Sequence, residues 1–260
     1  MKQRVISGVI VGLIALTSIY FGGLYYKAVV SFIAIWGSYE LCKARKKPIN
    51  WLEYALMLSF IILLNIFYHK ALGLIIMLLI LLIVLAIFDE KVDFEDAAVT
   101  FIESLILGFA TYQMLDIQAF NKWLFGYIVI CALVTDVFAY FSGRYFGKHK
   151  LNPRVSPKKT IEGLIGGCLC GGIISFIYAL CLDFFGLDVS FIVICSLTLP
   201  LVSEIGDLAF SLIKRHYGVK DFSNLIPGHG GILDRLDSLT FTLLLFAAIS
   251  VFLRWKRFYY

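Results

Sequence analysis

The sequence predicts an all-α, polytopic integral membrane protein with about nine transmembrane helices and a polar cavity that faces the cytoplasm. Of its 260 residues, 60% are hydrophobic and only 16% are charged, and the mean hydropathy is +0.89. The interior of a soluble domain of this size is too small for so many apolar side chains. Most of them must therefore face a bilayer. This excludes a secreted disulfide scaffold, a nucleic-acid-binding module and an ordinary cytosolic enzyme.

Nine apolar stretches each approach the roughly 20 residues that a helix needs to cross a bilayer. They cover residues 5–21, 24–42, 51–67, 71–88, 98–116, 123–143, 160–182, 189–213 and 236–254. The fifth stretch is interrupted by Glu103 and Thr111, which leaves a count of eight open. The six cysteines lie in or beside these stretches without the spacing of zinc ligands. We interpret them as small apolar residues.

Positive charge predicts that the N-terminus lies in the cytoplasm. The inner loops are then 43–50, 89–97, 144–159 and 214–235. Together with Lys2 and Arg4 they hold 17 of the 23 Lys and Arg residues. The basic C-terminal cluster of Arg254, Lys256 and Arg257 would lie outside and is an exception. The net charge of +5 suits a protein that adjoins anionic lipid or handles an anionic substrate.

Polar residues within the spans are concentrated in the second half of the chain. We therefore expect residues 1–125 to form lipid-facing scaffold helices and residues 126–260 to hold the site of any chemistry. A carboxylate at bilayer depth costs roughly 2.5–3.5 kcal/mol. The presence of Asp136, Glu204 and Asp207 within apolar stretches therefore indicates a structural partner or a function for each.

Helical spacing places these carboxylates on two polar stripes. One stripe contains Ser203, Asp207, Ser211, Lys214 and Arg215; the other contains Asp136, Tyr140, Gly143 and Arg144. A single stripe could be an interhelical polar contact or a snorkelling arginine. Two stripes that descend from two basic loops favour a polar cavity open to the cytoplasm.

The segment 227–237, Pro-Gly-His-Gly-Gly-Ile-Leu-Asp-Arg-Leu-Asp, carries the densest set of polar groups. Gly230 and Gly231 allow main-chain N–H groups to approach a ligand closely, and a helix that starts near 232–236 offers an anion site at its N-terminus. Asp234 and Asp237 are three residues apart and share a face of that helix. Paired carboxylates beside a phosphate site suit Mg²⁺. The alternative is a solvated helix cap.

The basic loop before the seventh span reads Arg154-Val-Ser-Pro-Lys-Lys-Thr-Ile-Glu162. Ser156 or Thr160 can cap the span, and Glu162 suits its first turn. Lys158 and Lys159 are electrostatically misplaced at a helix start unless they hold an anion there. Ordinary positive-inside bias is the alternative. In the other loop, His229 is either a general base or a side chain that orients a phosphate; His69, His149 and His216 are interpreted as incidental.

The segment 211–237, from Ser-Leu-Ile-Lys-Arg through Pro-Gly-His-Gly-Gly-Ile-Leu-Asp-Arg-Leu-Asp, resembles the signature of the phosphatidate cytidylyltransferases (CDP-diacylglycerol synthases). The blocks 206–211, 156–163 and 135–148 resemble other parts of that family, so the likeness covers roughly residues 130–240. Two positions depart from the family pattern. Val137-Phe138 replaces a pair of small residues, and Glu204 replaces a glutamine.

The resemblance implies the reaction of CTP with phosphatidic acid to give CDP-diacylglycerol and pyrophosphate, with Mg²⁺ as cofactor and K⁺ as a second cation. It implies that Asp207, Asp234 and Asp237 are the metal ligands. It also implies a homodimer in a bacterial inner membrane with its active site facing the cytoplasm. The remaining candidate residues are Lys214, Arg215, Arg235 and His229 for catalysis, and Ser156, Lys158, Lys159, Thr160, Glu162, Asp136, Gly230 and Gly231 for substrate binding.

Two other classes of function stay open. An ion-coupled transporter could use Asp136, Glu204 and Asp207 as intramembrane sites, although the halves of the chain show no internal repeat. A CTP-dependent polyprenol kinase would share the nucleotide but transfer its γ-phosphate. Product analysis separates the three functions. A cytidylyltransferase yields CDP-lipid with pyrophosphate, a polyprenol kinase yields phosphorylated lipid with CDP, and a transporter shows no turnover.

The predicted orientation can be tested by labelling. A cysteine introduced in loop 144–159 should react with a membrane-impermeant thiol reagent only from the cytoplasmic side. Labelling from the outside would overturn the orientation and the shared cytoplasmic cavity with it.

Overall fold

A computed structural model describes residues 2–182, 188–228 and 230–253, and over these residues the chain forms nine α-helices and one β-hairpin. The helices are α1 Lys2–Phe21, α2 Gly23–Ala44, α3 Trp51–Ile66, α4 Ala71–Phe88, α5 Phe94–Phe120, α6 Lys122–Phe146, α7 Ile161–Cys181, α8 Val189–His216 and α9 Leu233–Phe252. The antiparallel hairpin consists of β1 Lys150–Asn152 and β2 Ser156–Thr160. All nine predicted helical stretches are therefore present, and the hairpin is an addition to the all-α prediction.

Side-chain caps fix the start of several helices. Asn50, Asn121 and Asp188 each accept a hydrogen bond from a main-chain N–H two residues further on, at the starts of α3, α6 and α8. Thr160 Oγ1 accepts from the N–H of Gly163 at 3.1 Å and caps α7, as the sequence predicted. These residues satisfy donors that the first turn of a helix leaves unpaired.

Six helical segments of the described chain are long and apolar enough to span a bilayer: Tyr68–Phe88, Phe94–Phe120, Lys122–Phe146, Ile161–Cys181, Val189–His216 and Leu233–Phe252. Ile6–Phe21 and Trp51–Ile66 are apolar but shorter. The protein is therefore an α-helical integral membrane protein. The count of nine transmembrane helices stays a prediction.

The doubtful fifth stretch forms the long helix α5, and its buried carboxylate is paired. Arg45, which follows α2, donates to Glu103 Oε2 at 2.7 Å and to Glu53 Oε1 at 2.5 Å. Thr100 also donates to Glu53. All four side chains are buried. The arginine thereby offsets the cost of holding Glu53 and Glu103 away from water.

The chain divides into two compact units. The first contains α1 to α4, α5 as far as Asp116, and the segment Asp221–Arg235. The second contains residues 117–220 and the chain from Leu236 onward. The segment 221–235 therefore packs with the N-terminal helices. The functional boundary expected between residues 125 and 126 stays a prediction.

Glycines allow α6 and α7 to approach closely within the second unit. A Cβ atom on Gly167 would lie 2.8 Å from the carbonyl oxygen of Thr135 and 2.8 Å from the Cβ of Ala139. Gly163 and Gly171, one turn away on either side, face the same helix just as closely. Small residues four apart are how membrane helices bring their backbones together. This packing holds the ends of α6 and α7 close to the hairpin between them.

We predict that Gly167→Ala destabilises the protein by roughly 1–3 kcal/mol, because the added methyl group overpacks the contact with α6. The matched control is Gly73→Ala in α4, where a Cβ has nothing within 4 Å. It should be neutral or stabilise by up to about 1 kcal/mol through helix propensity. Thermal unfolding in detergent micelles measures both. Equal midpoints for the two variants would contradict the close packing of α6 on α7.

Candidate active site

One lysine is shared by two carboxylates in the second unit. Lys159 Nζ lies 2.7 Å from Glu204 Oε2 and 2.7 Å from Asp207 Oδ2, and 3.4 Å from the carbonyl oxygen of Glu204. The side chain of Glu204 is 2% exposed, that of Lys159 17% and that of Asp207 31%. The site therefore runs from a buried carboxylate to a partly open one.

The hairpin and the start of α7 hold Lys159 in place. Lys159 is the penultimate residue of β2, and Thr160 caps the helix that follows. Glu162 in the first turn accepts from the N–H groups of Lys148 and His149 and lies 2.6 Å from His149 Nδ1. These contacts attach the hairpin to the first turn of α7 and thereby restrict the position of Lys159. His149, interpreted from the sequence as incidental, thus has a structural contact through its side chain.

The same unit holds two further carboxylates. Asp136 on α6 accepts from Ser238 Oγ at 3.1 Å, and the charges of Glu204, Asp237 and Asp207 all act on it. Of these four carboxylates, Glu204 and Asp207 contact the ammonium of Lys159. Carboxylates gathered away from water favour binding of a cation.

Lys159 keeps its charge in this environment. Desolvation is the largest single influence and lowers its pKa, but the carboxylates of Asp207 and Glu204 together raise that pKa above its usual value. The side chain is therefore an ammonium at neutral pH. It can pair with a carboxylate or with an anionic ligand.

In the first unit, the glycine-rich segment forms a tight turn. Ile226 and Gly230 exchange main-chain hydrogen bonds of 2.9 and 3.2 Å, and Gly228 and Gly230 have φ values of 77° and 86°. Asp234 Oδ2 accepts from the N–H groups of Phe222 at 3.0 Å and Gly231 at 2.9 Å. A Cβ on Gly230 would lie 2.8 Å from that oxygen. Glycine is therefore favoured at this position by the positive φ angle and by the close approach of Asp234.

A carboxylate that the sequence analysis did not single out occupies the N-terminus of α9. Glu40 on α2 is fully buried; its Oε1 accepts from Ile232 N and its Oε2 from Leu233 N, both at 3.0 Å. The sequence analysis expected a ligand anion at the N-terminus of α9, but a side chain of the protein occupies it. The N–H groups of Gly230 and Gly231 are likewise directed at protein acceptors. A role of these two glycines in substrate binding stays a prediction.

The predicted metal ligands are distributed between the units. Asp207 and Asp237 belong to the second unit and Asp234 to the first. Within the described part of the chain, no three His, Cys, Asp or Glu side chains form a group that could hold a metal ion as they stand. The donors nevertheless suit Mg²⁺, because it usually takes one or two carboxylates and completes its shell with water and substrate phosphates. The ammonium of Lys159 is itself a cation in contact with the carboxylates of Glu204 and Asp207.

The basic and polar candidates differ in exposure. Lys214 is buried, whereas Arg215 is exposed and donates to the carbonyl oxygen of Val219 at 3.0 Å. Lys158 and Arg235 are exposed, and Ser156 is half-buried. Lys158, Arg215 and Arg235 can therefore be reached from the solvent. His229 lies outside the described residues.

The comparisons with known proteins decide the family. Residues 2–253 match the cytidylyltransferase family. The chain belongs to that family. It is 38% identical over 173 residues to the phosphatidate cytidylyltransferase of Staphylococcus haemolyticus, a match that covers 66% of this chain and 65% of that protein. It is 28% identical over 256 residues to the phosphatidate cytidylyltransferase of Bacillus subtilis, covering 94% of this chain and 95% of the relative.

Sequence analysis of this cytidylyltransferase-family chain missed Glu40 for an identifiable reason. The rule that a carboxylate inside an apolar stretch needs a partner was applied to Asp136, Glu204 and Asp207 but not to the N-terminal spans. Glu40 lies inside the second stretch, 24–42, and meets the same criterion. The signal was present, but its partner, 190 residues further along the chain, could not be inferred from spacing.

The shared lysine leads to a prediction on stability. Lys159→Met should lower the unfolding midpoint, because a buried acceptor left without its donor costs roughly 1–3 kcal/mol, and more if it is charged. Glu204→Gln should restore part of the loss in the Lys159→Met background, since it removes the unpaired charge. Thermal unfolding of the two single variants and the double variant in metal-free buffer measures the coupling, expected at roughly 0.5–3 kcal/mol. Strict additivity would contradict the ion pair.

Proposed function

We propose that this protein transfers the cytidylyl group of CTP to phosphatidate and releases CDP-diacylglycerol and pyrophosphate. Family membership supports the nucleotidyl transfer, and the relatives named phosphatidate cytidylyltransferase support the lipid substrate. The observation that carries the proposal is the contact of Lys159 with Glu204 and Asp207 in a membrane-embedded unit. Carboxylates that could bind a cation, next to the end of an apolar helix, would suit two phosphate-bearing substrates, one of which is a lipid.

The proposed chemistry is an in-line displacement at phosphorus. A phosphate oxygen of phosphatidate attacks the α-phosphorus of CTP, and the bond from the α-phosphorus to the bridging oxygen of the β-phosphate breaks. Pyrophosphate leaves with that electron pair. The attacking oxygen is already anionic, so no strong general base is needed. The protein must position the phosphates and offset their charge.

Different residues of the second unit would bind the metal and offset the charge of the phosphates. Asp207 and Asp237 would hold Mg²⁺, which when bound neutralises charge on the phosphates. Lys159, Lys158, Lys214 and Arg215 would offset the remaining phosphate charge. Lys159 can exchange a carboxylate partner for a phosphate, because it remains an ammonium. Asp136, half-buried beside these carboxylates, would organise the lysine or a second cation such as K⁺.

Other parts of the proposal rest on the resemblance of the sequence motifs. They are the metal role of Asp234, the contacts of Arg235 and His229 with phosphate, and the assembly into a homodimer. The location in a bacterial inner membrane rests on the same resemblance, and the cytoplasmic side of the site rests on loop charge. A charged nucleotide in the cytoplasm would then reach the site without crossing the bilayer.

The proposal is tested by product analysis. Purified protein in mixed micelles is supplied with α-labelled CTP, phosphatidate and Mg²⁺. CDP-diacylglycerol and pyrophosphate should form in equal amounts, and omission of Mg²⁺ should abolish both. A labelled CDP product with phosphorylated lipid would instead indicate a kinase, and absence of turnover with any lipid acceptor would favour the transporter.

We predict that Asp207→Asn and Asp237→Asn each lower turnover by at least about 100-fold, the scale of losing one key electrostatic contact in a transition state. Both changes keep the size of the side chain. Asp188→Asn is the control, because Asp188 is exposed and only caps α8, and asparagine caps equally well. Normal turnover of either site variant at saturating Mg²⁺ would remove that residue from the metal site.

A further inference from the structure

Glu40 holds the start of α9 with both of its carboxylate oxygens. Oε1 accepts from the N–H of Ile232 at 3.0 Å and from Ser223 Oγ at 2.5 Å, and Oε2 accepts from the N–H of Leu233 at 3.0 Å. No part of the Glu40 residue is exposed to solvent. A buried carboxylate is costly, and here three donors offset that cost.

The backbone around Gly231 is shaped to admit this carboxylate. A Cβ on Gly231 would lie 2.5 Å from Glu40 Oε1 and 2.6 Å from Oε2, distances that no real side chain could occupy. The neighbouring N–H of Gly231 donates to Asp234 instead. Glycine at 231 thus lets the helix start approach α2, and the two acidic residues take up successive N–H groups.

The location of this contact gives it a consequence for chemistry. α9 carries Asp234 in its first turn and Asp237 three residues later, so both carboxylates take their position from the point at which the helix begins. A negative charge at a helix N-terminus stabilises that start. Loss of the charge allows the first turn to fray, and the aspartates then lose their fixed direction.

We propose that Glu40 is a positioning residue of the active site, which fixes the start of α9 and thereby the direction of its two aspartates. The proposal rests on the proposed function in so far as it concerns turnover. Glu40 does not touch substrate or metal. It acts through the N–H groups of Ile232 and Leu233.

Hydrogen–deuterium exchange of the full-length protein tests the contact directly. In Glu40→Gln, one acceptor oxygen becomes an NH₂ group that cannot accept from the helix. We expect exchange over residues 230–237 to rise at least about tenfold. Glu53→Gln is the matched control, because Glu53 is a buried glutamate of the same unit whose contacts with Arg45 and Thr100 do not involve this segment. It should leave exchange over 230–237 unchanged, even if it lowers the unfolding midpoint.

Kinetics on the same variants test the consequence. Glu40→Gln should raise the Mg²⁺ concentration for half-maximal turnover by at least about fivefold and lower kcat, whereas Glu53→Gln should change neither. If Glu40→Gln fails to fold, Gly231→Ala is the second variant, because its added methyl group would displace the Glu40 carboxylate. It should likewise raise the Mg²⁺ requirement and lower kcat.

Two results would overturn the proposal. One is unchanged exchange over 230–237 in the folded variants. The other is faster exchange with an unchanged Mg²⁺ requirement and kcat. If the unmodified protein makes no CDP-lipid, the proposed function fails. The exchange comparison then decides whether Glu40 fixes the helix start.

Discussion

The structure depends on one constraint, which is that a carboxylate removed from water must find positive charge or hydrogen-bond donors. Glu204 and Asp207 share the ammonium of Lys159. Glu40 receives main-chain N–H groups at the start of α9. Glu53 and Glu103 share Arg45. Each pairing joins segments that are distant in sequence, so the electrostatic requirement also determines which parts of the chain are held together.

The two units meet this constraint in different ways. In the first, arginine, backbone and hydroxyl groups donate to Glu40, Glu53 and Glu103, which suits a scaffold. In the second, Glu204 and Asp207 share Lys159 and act on Asp136 together with Asp237, and this group suits a site that takes up a cation and exchanges lysine contacts for phosphate contacts. Similar side chains thus serve stability in one unit and suit catalysis in the other.

The sequence predicted the helices well, because an apolar stretch of about 20 residues leaves little choice of structure. Thr160 as the cap of α7 and the helix start near residue 233 were also predictable from local rules. The hairpin was not, since strands of three and five residues carry little signal. Glu40 was missed because its partners lie about 190 residues away, and the phosphate site expected at the N-terminus of α9 proved to be filled by that side chain.

The central claim, that the carboxylates of the second unit take up a cation, is tested most directly by unfolding the unmodified protein over a range of Mg²⁺ concentrations without substrate. Ionic strength is held constant with a monovalent salt that contains no K⁺. A cation that binds only the folded state raises the unfolding midpoint, and the rise continues as its concentration exceeds the dissociation constant. The account predicts such an increase with Mg²⁺ and none with the monovalent salt alone. An identical midpoint in both series would contradict it.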